Sequence, residues 1–134
     1  MKLLLDTHIL IWALNGDPHL PRKAREMILY PGNTLYYSCV SLWEIAVKHA
    51  IHPENVSFSA EILSGFCREA GFLPLEVKEK HIFALETLVR QDDAPKHSDP
   101  FDRMLIAQAK AEGMTLLTHD GLLAGYGEKC VIVC

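Results

Sequence analysis

The alternation of short apolar runs with helical patterns is the feature that most constrains the fold of this chain. Five predicted strands are apolar, β-branched or aromatic: Lys2–Asp6, Thr34–Ser38, Leu73–Val77, Met114–Thr118 and Cys130–Val133. The candidate helices between them cover residues 7–14, 21–30, 41–51, 57–70, 78–90, 99–112 and 121–126. This alternation predicts an α/β fold in which a central parallel β-sheet of about five strands is flanked by helices. Right-handed crossovers then place the carboxyl ends of all strands at one edge.

Length and composition predict one domain that spans residues 1–134. About half of the residues are hydrophobic, which is enough for a single packed core. The formal charge of −4 argues against a broad basic surface for nucleic acid, although a local basic rim remains compatible with it. We find neither a signal-peptide pattern nor an apolar run of membrane-spanning length, so we expect a cytoplasmic protein. The four cysteines form no Cys-x-x-Cys pair, and we expect them to be reduced.

Four carboxylates stand where a predicted strand gives way to a helix or where a helix begins: Asp6, Glu44, Asp102 and Asp120. Asp6 and Asp120 end two strands, and the helices that carry Glu44 and Asp102 begin at the same edge of the sheet. Two unit charges about 5 Å apart repel by roughly 3 kcal/mol at an effective dielectric near 20. Such crowding is relieved by protonation or by a divalent metal ion. Carboxylate oxygens suit Mg²⁺ or Mn²⁺, and one or two such ions would support hydrolysis of a phosphodiester.

Each acid also has a purely structural interpretation. Ser41-x-x-Glu44 fits a capping box, and Lys48 stands one turn after Glu44, as in an intrahelical ion pair. Asp102 occupies the third position of a helix for which Asp99 is the natural N-cap. The other two acids could each cap the helix that follows. Helix caps are normally scattered over a fold, however, whereas these four carboxylates converge.

The motifs that contain these four acids resemble those of a known family. The segments Leu3-Leu-Leu-Asp-Thr-His8 and Ser38-Cys-Val-Ser-Leu-Trp-Glu44 look like those of the PIN-domain nucleases. The same holds for Asp99-Pro-Phe-Asp-Arg103 with its Met-Leu-Ile-Ala continuation, and for Leu117-Thr-His-Asp120. The resemblance covers essentially the whole chain, and it is strongest to the VapC-like ribonuclease toxins of type II toxin–antitoxin pairs.

This resemblance implies Mg²⁺- or Mn²⁺-dependent cleavage of RNA. It assigns Asp6, Glu44, Asp102 and Asp120 to the family's acidic quartet, as catalytic residues and metal ligands. Asp99 has three alternative roles: a further metal ligand, a residue that hydrogen-bonds to a ligand, or only the cap of the helix. The family usually leaves a 5′-phosphate and a 3′-hydroxyl, and its toxins commonly form homodimers. An antitoxin protein typically inserts a segment into the acidic cleft.

Three neighbouring residues are candidates for a supporting role. Thr7 and Thr118 could orient a carboxylate, or they could make ordinary hydrogen bonds at strand ends. Arg103 could touch substrate phosphate, although a solvated or ion-paired arginine is at least as plausible. His8 and His119 flank two of the acids, but an all-oxygen site suits a hard metal better.

The remaining histidines and the larger aromatic residues carry no functional pattern. The histidines without metal-ligand spacing are His19, His49, His52, His81 and His97. Trp12, Trp43 and Phe101 stand among apolar residues, so we predict that they belong to the core. A role in stacking on nucleobases would require them to be exposed.

Three other functions compete with a nuclease toxin. A phosphoacceptor signalling domain would need an acidic acceptor at the end of the third strand, where Leu73–Val77 offers no Asp. A non-catalytic PIN module would bind RNA or a partner, but such modules usually lack some of the acids. The third alternative is an RNA-processing nuclease without a toxin role, which the sequence does not separate from a toxin.

Overall fold

The computed structural model describes all residues from 1 to 134. The strands are β1 (Lys2–Leu5), β2 (Thr34–Ser38), β3 (Leu73–Leu75), β4 (Thr115–Thr118) and β5 (Val131–Val133). The helices are α1 (Thr7–Asn15), α2 (Arg22–Leu29), α3 (Cys39–Ile51), α4 (Ala60–Glu69), α5 (Glu79–Leu85) and α6 (Pro100–Glu112). A 3₁₀-helix (Gly121–Tyr126) follows β4.

All five strands form one parallel sheet in the order β3-β2-β1-β4-β5. The prediction of a parallel α/β sheet flanked by helices is therefore confirmed. The central strand β1 pairs with β2 on one side, where Leu3 lies opposite Leu35, and with β4 on the other, where Leu5 lies opposite Leu117. The chain reverses its direction of winding between β1 and β4, which is where α/β sheets form their binding crevices.

The continuous apolar run of β1 is explained by a core on each face of the sheet. Leu3 and Leu5 belong to the cluster packed under α1, α2 and α4, where Leu63 of α4 is also buried. Leu4 points to the opposite face and joins the cluster under α6, which contains Leu105. Because successive side chains of a strand point to opposite faces, a strand buried on both sides needs apolar residues at every position.

Several element ends differ from the prediction. The helix α3 begins at Cys39, two residues earlier than predicted, because the Ser38 hydroxyl accepts a hydrogen bond from the amide of Val40 (3.0 Å) and caps the helix. The strand β3 ends at Leu75 and the helix α5 ends at Leu85, both earlier than expected. The predicted helix over 121–126 is a 3₁₀-helix.

A polar network beneath β2 links three elements. The Ser38 hydroxyl donates to Gln108 Oε1 (2.5 Å), and the Gln108 amide lies 3.4 Å from Nδ1 of the fully buried His81. His81 Nε2 is 2.9 Å from Glu112 Oε1, and the same oxygen forms an ion pair with Lys80 Nζ (2.8 Å). These two partners hold the pKa of Glu112 at about 2, well below its usual range.

The four cysteines are free thiols. None of the helices combines the length and the apolar character needed to cross a bilayer.

Candidate active site

Asp6 follows β1 directly and has two structural partners. Its Oδ1 accepts a hydrogen bond from the amide of Ile9 (2.9 Å), so the residue is the N-cap of α1, and its Oδ2 accepts from the Thr118 hydroxyl. The residue is only 4% exposed. Burial raises the pKa of Asp6, the hydrogen bonds from Thr118 and Ile9 oppose this rise, and the charge of Glu44 adds to it. The carboxylate is thus held in a fixed orientation at a cost in desolvation.

Glu44 approaches the same point from α3 and is likewise 4% exposed. The capping-box interpretation is wrong, because the helix begins two residues before Ser41 and both Ser41 and Glu44 are buried inside it. The Thr7 hydroxyl lies 2.7 Å from Glu44 Oε1 and 2.9 Å from Ser41 Oγ. Since a carboxylate can only accept, Thr7 donates to Glu44 and accepts from Ser41. Lys48 makes the expected intrahelical pair with Glu44 Oε2 (2.5 Å).

Asp99 and Asp102 enter from the start of α6. Asp99 Oδ1 accepts hydrogen bonds from the amides of Phe101 (2.9 Å) and Asp102 (3.0 Å), so Asp99 is the N-cap. Burial and the neighbouring charge of Asp99 raise the pKa of Asp102 to about 6, and Glu44 adds to the rise. Ionisation of this carboxyl is thus disfavoured first by desolvation and then by the two neighbouring negative charges, and the hydrogen bond from His97 offsets only part of the rise.

Asp120 lies between β4 and the 3₁₀-helix and is the last of the acidic residues of the site. Its Oδ1 accepts from the amide of Leu122 (2.9 Å) and caps the 3₁₀-helix. The amide of Asp120 donates to the Thr118 hydroxyl oxygen (3.0 Å), and that hydroxyl donates to Asp6. Thr118 therefore joins the ends of two neighbouring strands and sets the position of two carboxylates.

The five carboxylates line one cleft of about 190 Å³. Its walls are Asp6, Thr7, His8, Glu44, Lys48, Asp99, Asp102 and Asp120. Lys48 is the one lysine or arginine among them, and it is already paired with Glu44. Five acids against one such cation leave an uncompensated negative charge, and their oxygens are hard donors, so the residues fit a divalent cation such as Mg²⁺ or Mn²⁺.

A histidine that carried no sequence signal also reaches this group. His97 Nε2 lies 3.2 Å from Asp102 Oδ2, and His97, Asp102 and Asp120 offer donor atoms that all lie within 4.8 Å of one another. No spacing rule could have identified His97, because a loop brings it to the acids. Arg103 is not among the residues that line the cleft. Burial raises the pKa of Tyr126, and the charge of nearby Arg103 opposes that rise.

The aromatic residues near the cleft depart in part from the prediction of a core position. Trp43 is 56% exposed, so that prediction is wrong for Trp43, whose ring packs edge-to-face on Phe101 at 4.7 Å between centroids. Trp12 is half-buried and lies between His8 (5.8 Å) and His119 (5.5 Å). Trp43 is exposed because the buried face of α3 carries Glu44 and Ile45, and Trp43 lies outside that face.

In a comparison with models of protein families, the family model of the PIN domain matches residues 3–129. No curated protein sequence matches the chain significantly.

Three of the similar solved structures cover almost the entire chain. VapBC2 from Rickettsia felis bound to a DNA fragment from its promoter has 16% identity and a TM-score of 0.65, over 100% of this chain and 98% of the other. A toxin–antitoxin complex from Klebsiella pneumoniae has 19% identity and a TM-score of 0.59, over 98% and 96%. A domain of a functionally unknown protein from Methanocaldococcus jannaschii has 15% identity and a TM-score of 0.58, over 99% and 90%. At these identities the likeness concerns the fold.

Proposed function

Since the chain belongs to the PIN-domain family, we propose that it is a metal-dependent endoribonuclease that hydrolyses phosphodiester bonds of RNA. The observation that carries the proposal is the convergence of five carboxylates from four separate segments of the chain in one cleft. Each of these acids has a local hydrogen-bonding role or an ion pair, yet all of them face a common volume. Caps alone would not require that convergence.

Asp6, Glu44, Asp102 and Asp120 would hold one or two Mg²⁺ or Mn²⁺ ions, and Asp99 would support them from the helix end. Such a cation supplies a lower pKa for the attacking water and compensation of the charge that develops on the phosphate. The protein's own part is orientation. The Thr7 hydroxyl fixes the rotamer of Glu44, and the Thr118 hydroxyl fixes that of Asp6.

Substrate access follows from the shape of the site. The cleft opens at the sheet edge where Asp102 and Asp120 keep partial exposure, so a phosphodiester of single-stranded or loop RNA could enter from that side. Lys48 lies at the wall and could contact a phosphate oxygen once the Glu44 carboxylate is neutralised by the cation.

We propose further that the protein is the toxin of a type II toxin–antitoxin pair in the cytoplasm, with a cognate antitoxin and a homodimeric state. Support comes from the fold, since two of the similar structures are a VapBC complex and a toxin–antitoxin complex. Support also comes from the motifs Asp6-Thr-His8 and Ser41-Leu-Trp-Glu44, which resemble those of VapC-like toxins.

The test is cleavage of a mixed RNA pool by the purified protein with Mn²⁺ or Mg²⁺ and with EDTA. We expect cleavage that requires the cation and that falls by at least about 100-fold in Asp6→Asn. The matched control is Asp92→Asn, which removes an exposed carboxylate outside the cleft and leaves cleavage unchanged. Equal activity of Asp6→Asn and the wild type would contradict the assignment of the site.

A further inference from the structure

A buried imidazole behind the acidic cleft is not used by the proposed function. The side chain of His97 is 6% exposed and its Nε2 atom lies 3.2 Å from Asp102 Oδ2, while ligand atoms of His97, Asp102 and Asp120 all lie within 4.8 Å of one another. We infer that His97 is a nitrogen ligand of the divalent cation and that it binds together with Asp102 and Asp120. This inference rests on the proposed metal-dependent function and adds a fifth donor that the family motifs do not contain.

The loop that carries His97 is fixed by a set of contacts to the 3₁₀-helix. Arg90 donates to the carbonyl of Pro95 through Nε (2.9 Å) and through its terminal nitrogen, Nη2 (2.6 Å). Its other terminal nitrogen donates to the carbonyl of Leu122 (2.6 Å), and the guanidinium lies 4.7 Å from the centre of the Tyr126 ring. Because Arg90 ties the loop at Pro95 to the 3₁₀-helix at Leu122, the position of the imidazole beside Asp102 is built into the fold.

Tyr126 is the partner of the second ring nitrogen of His97. Its hydroxyl donates to the backbone carbonyl of His97 (3.2 Å) and lies 2.8 Å from His97 Nδ1. While the single hydroxyl proton is donated to the carbonyl, which can only accept, the hydroxyl oxygen is free to accept the Nδ1–H of the ring. Nε2 is then left with its lone pair directed at the cleft, which is the tautomer that metal-binding histidines adopt.

The distance between His97 and Asp102 suits either a proton or a cation. Without a metal ion, the separation of 3.2 Å between Nε2 and Oδ2 is that of a hydrogen bond, and a bound cation would take the place of the shared proton. Neighbouring donors of an octahedral ion with bonds of about 2.1 Å lie roughly 3 Å apart, so a shared divalent cation fits the distance. A nitrogen donor also favours a first-row transition ion, and we expect tighter binding of Mn²⁺ than of Mg²⁺.

The experiment is pulsed electron paramagnetic resonance of Mn²⁺ bound to the wild-type protein. Spin-echo modulation detects a nitrogen nucleus bound directly to the ion, and incorporation of ¹⁵N-labelled histidine replaces the ¹⁴N pattern without any mutation. We expect a directly coupled histidine nitrogen in the wild type. The coupling should disappear in His97→Gln and persist in His8→Gln, which removes another imidazole that lines the cleft. The loss of a residue that only orients a ligand also lowers metal affinity, by about 10–100-fold, so affinity alone does not separate the two roles.

The outcomes separate this inference from the proposed function. Mn²⁺-dependent RNA cleavage without a histidine coupling, or with a coupling that is lost in His8→Gln and retained in His97→Gln, would overturn the inference and leave the nuclease intact. Absence of both Mn²⁺ binding and cleavage would overturn both. If His97→Gln fails to fold, the isotope exchange in the wild type still shows whether a histidine binds the ion, and His8→Gln shows whether it is His8.

Discussion

Removal of one carboxylate from the cleft should make the metal-free protein more stable. In Asp102→Asn the side chain keeps its size but loses the charge that burial, Asp99 and Glu44 disfavour. The pKa of Asp102 rises from 3.8 to about 6, and each pH unit corresponds to about 1.4 kcal/mol, so ionisation costs the folded state at most about 3 kcal/mol. The side chain is 23% exposed and water screens part of this cost, so we expect a gain of about 1–2 kcal/mol.

The gain should depend on pH in a defined way. The folded state binds the proton of Asp102 more tightly than the unfolded state, so the contribution of Asp102 to the stability of the wild type falls as the pH rises from about 4 through 6. Near pH 4 the carboxyl is largely protonated in the folded state and the wild type and Asp102→Asn should be nearly equal. At pH 8 in EDTA the variant should be more stable by the full amount.

Urea unfolding at pH 4, 6 and 8, followed by circular dichroism in EDTA, measures this difference. With saturating Mn²⁺ the order should reverse, because a ligand that binds only the folded state stabilises the wild type and the variant has lost a ligand. The control is again Asp92→Asn, for which we expect no effect. A variant that is no more stable than the wild type at pH 8, or a difference that does not change with pH, would refute the electrostatic reasoning.

Three further changes test other parts of the structure. Since the pKa of Glu112 is about 2, its contribution to stability is complete above about pH 4.5 and is lost as the pH falls towards 2, so Glu112→Gln should flatten this acid limb in urea titrations between pH 5 and 2.5. Thr7→Val removes the 2.7 Å hydrogen bond to Glu44 and should lower the free energy of unfolding by about 1–3 kcal/mol. Thr7→Ser keeps the hydroxyl and should retain most of this stability, and the denaturant midpoints of the two variants measure the difference. Leu4→Ala empties a fully buried position between the sheet and α6 and should cost about 2–5 kcal/mol, whereas Leu29→Ala at an exposed position should cost about 0.5 kcal/mol or less, as measured by thermal unfolding.

The sequence predicted most of the fold because its signals are local and repeated. The run Lys2–Asp6 has apolar residues at every inward position on both faces, and α6 has an Asp99 cap, a Pro100 at its first position and a Gly113 at its end. Parallel topology then places Asp6 and Asp120 at one edge without any knowledge of side chains.

Other features could not be predicted because they depend on long-range contacts. The motif Ser41-x-x-Glu44 satisfies the pattern of a capping box, yet the helix begins earlier, since Ser38 supplies the cap and Thr7, 37 residues away in sequence from Glu44, engages the carboxylate. His97 lies in an irregular loop whose path is set by Arg90, and no periodicity predicts such a contact.

The most direct test of the central claim is the chemistry of the RNA ends. Hydrolysis by water at a metal site leaves a 5′-phosphate and a 3′-hydroxyl, whereas attack by the RNA's own 2′-hydroxyl leaves a 2′,3′-cyclic phosphate. Fragments produced from an RNA pool with Mn²⁺ should carry 5′-phosphates and should be absent with EDTA and in Asp6→Asn. Cyclic phosphates, or cuts that persist without the cation, would show that the acidic cleft is not a metal-dependent nuclease site.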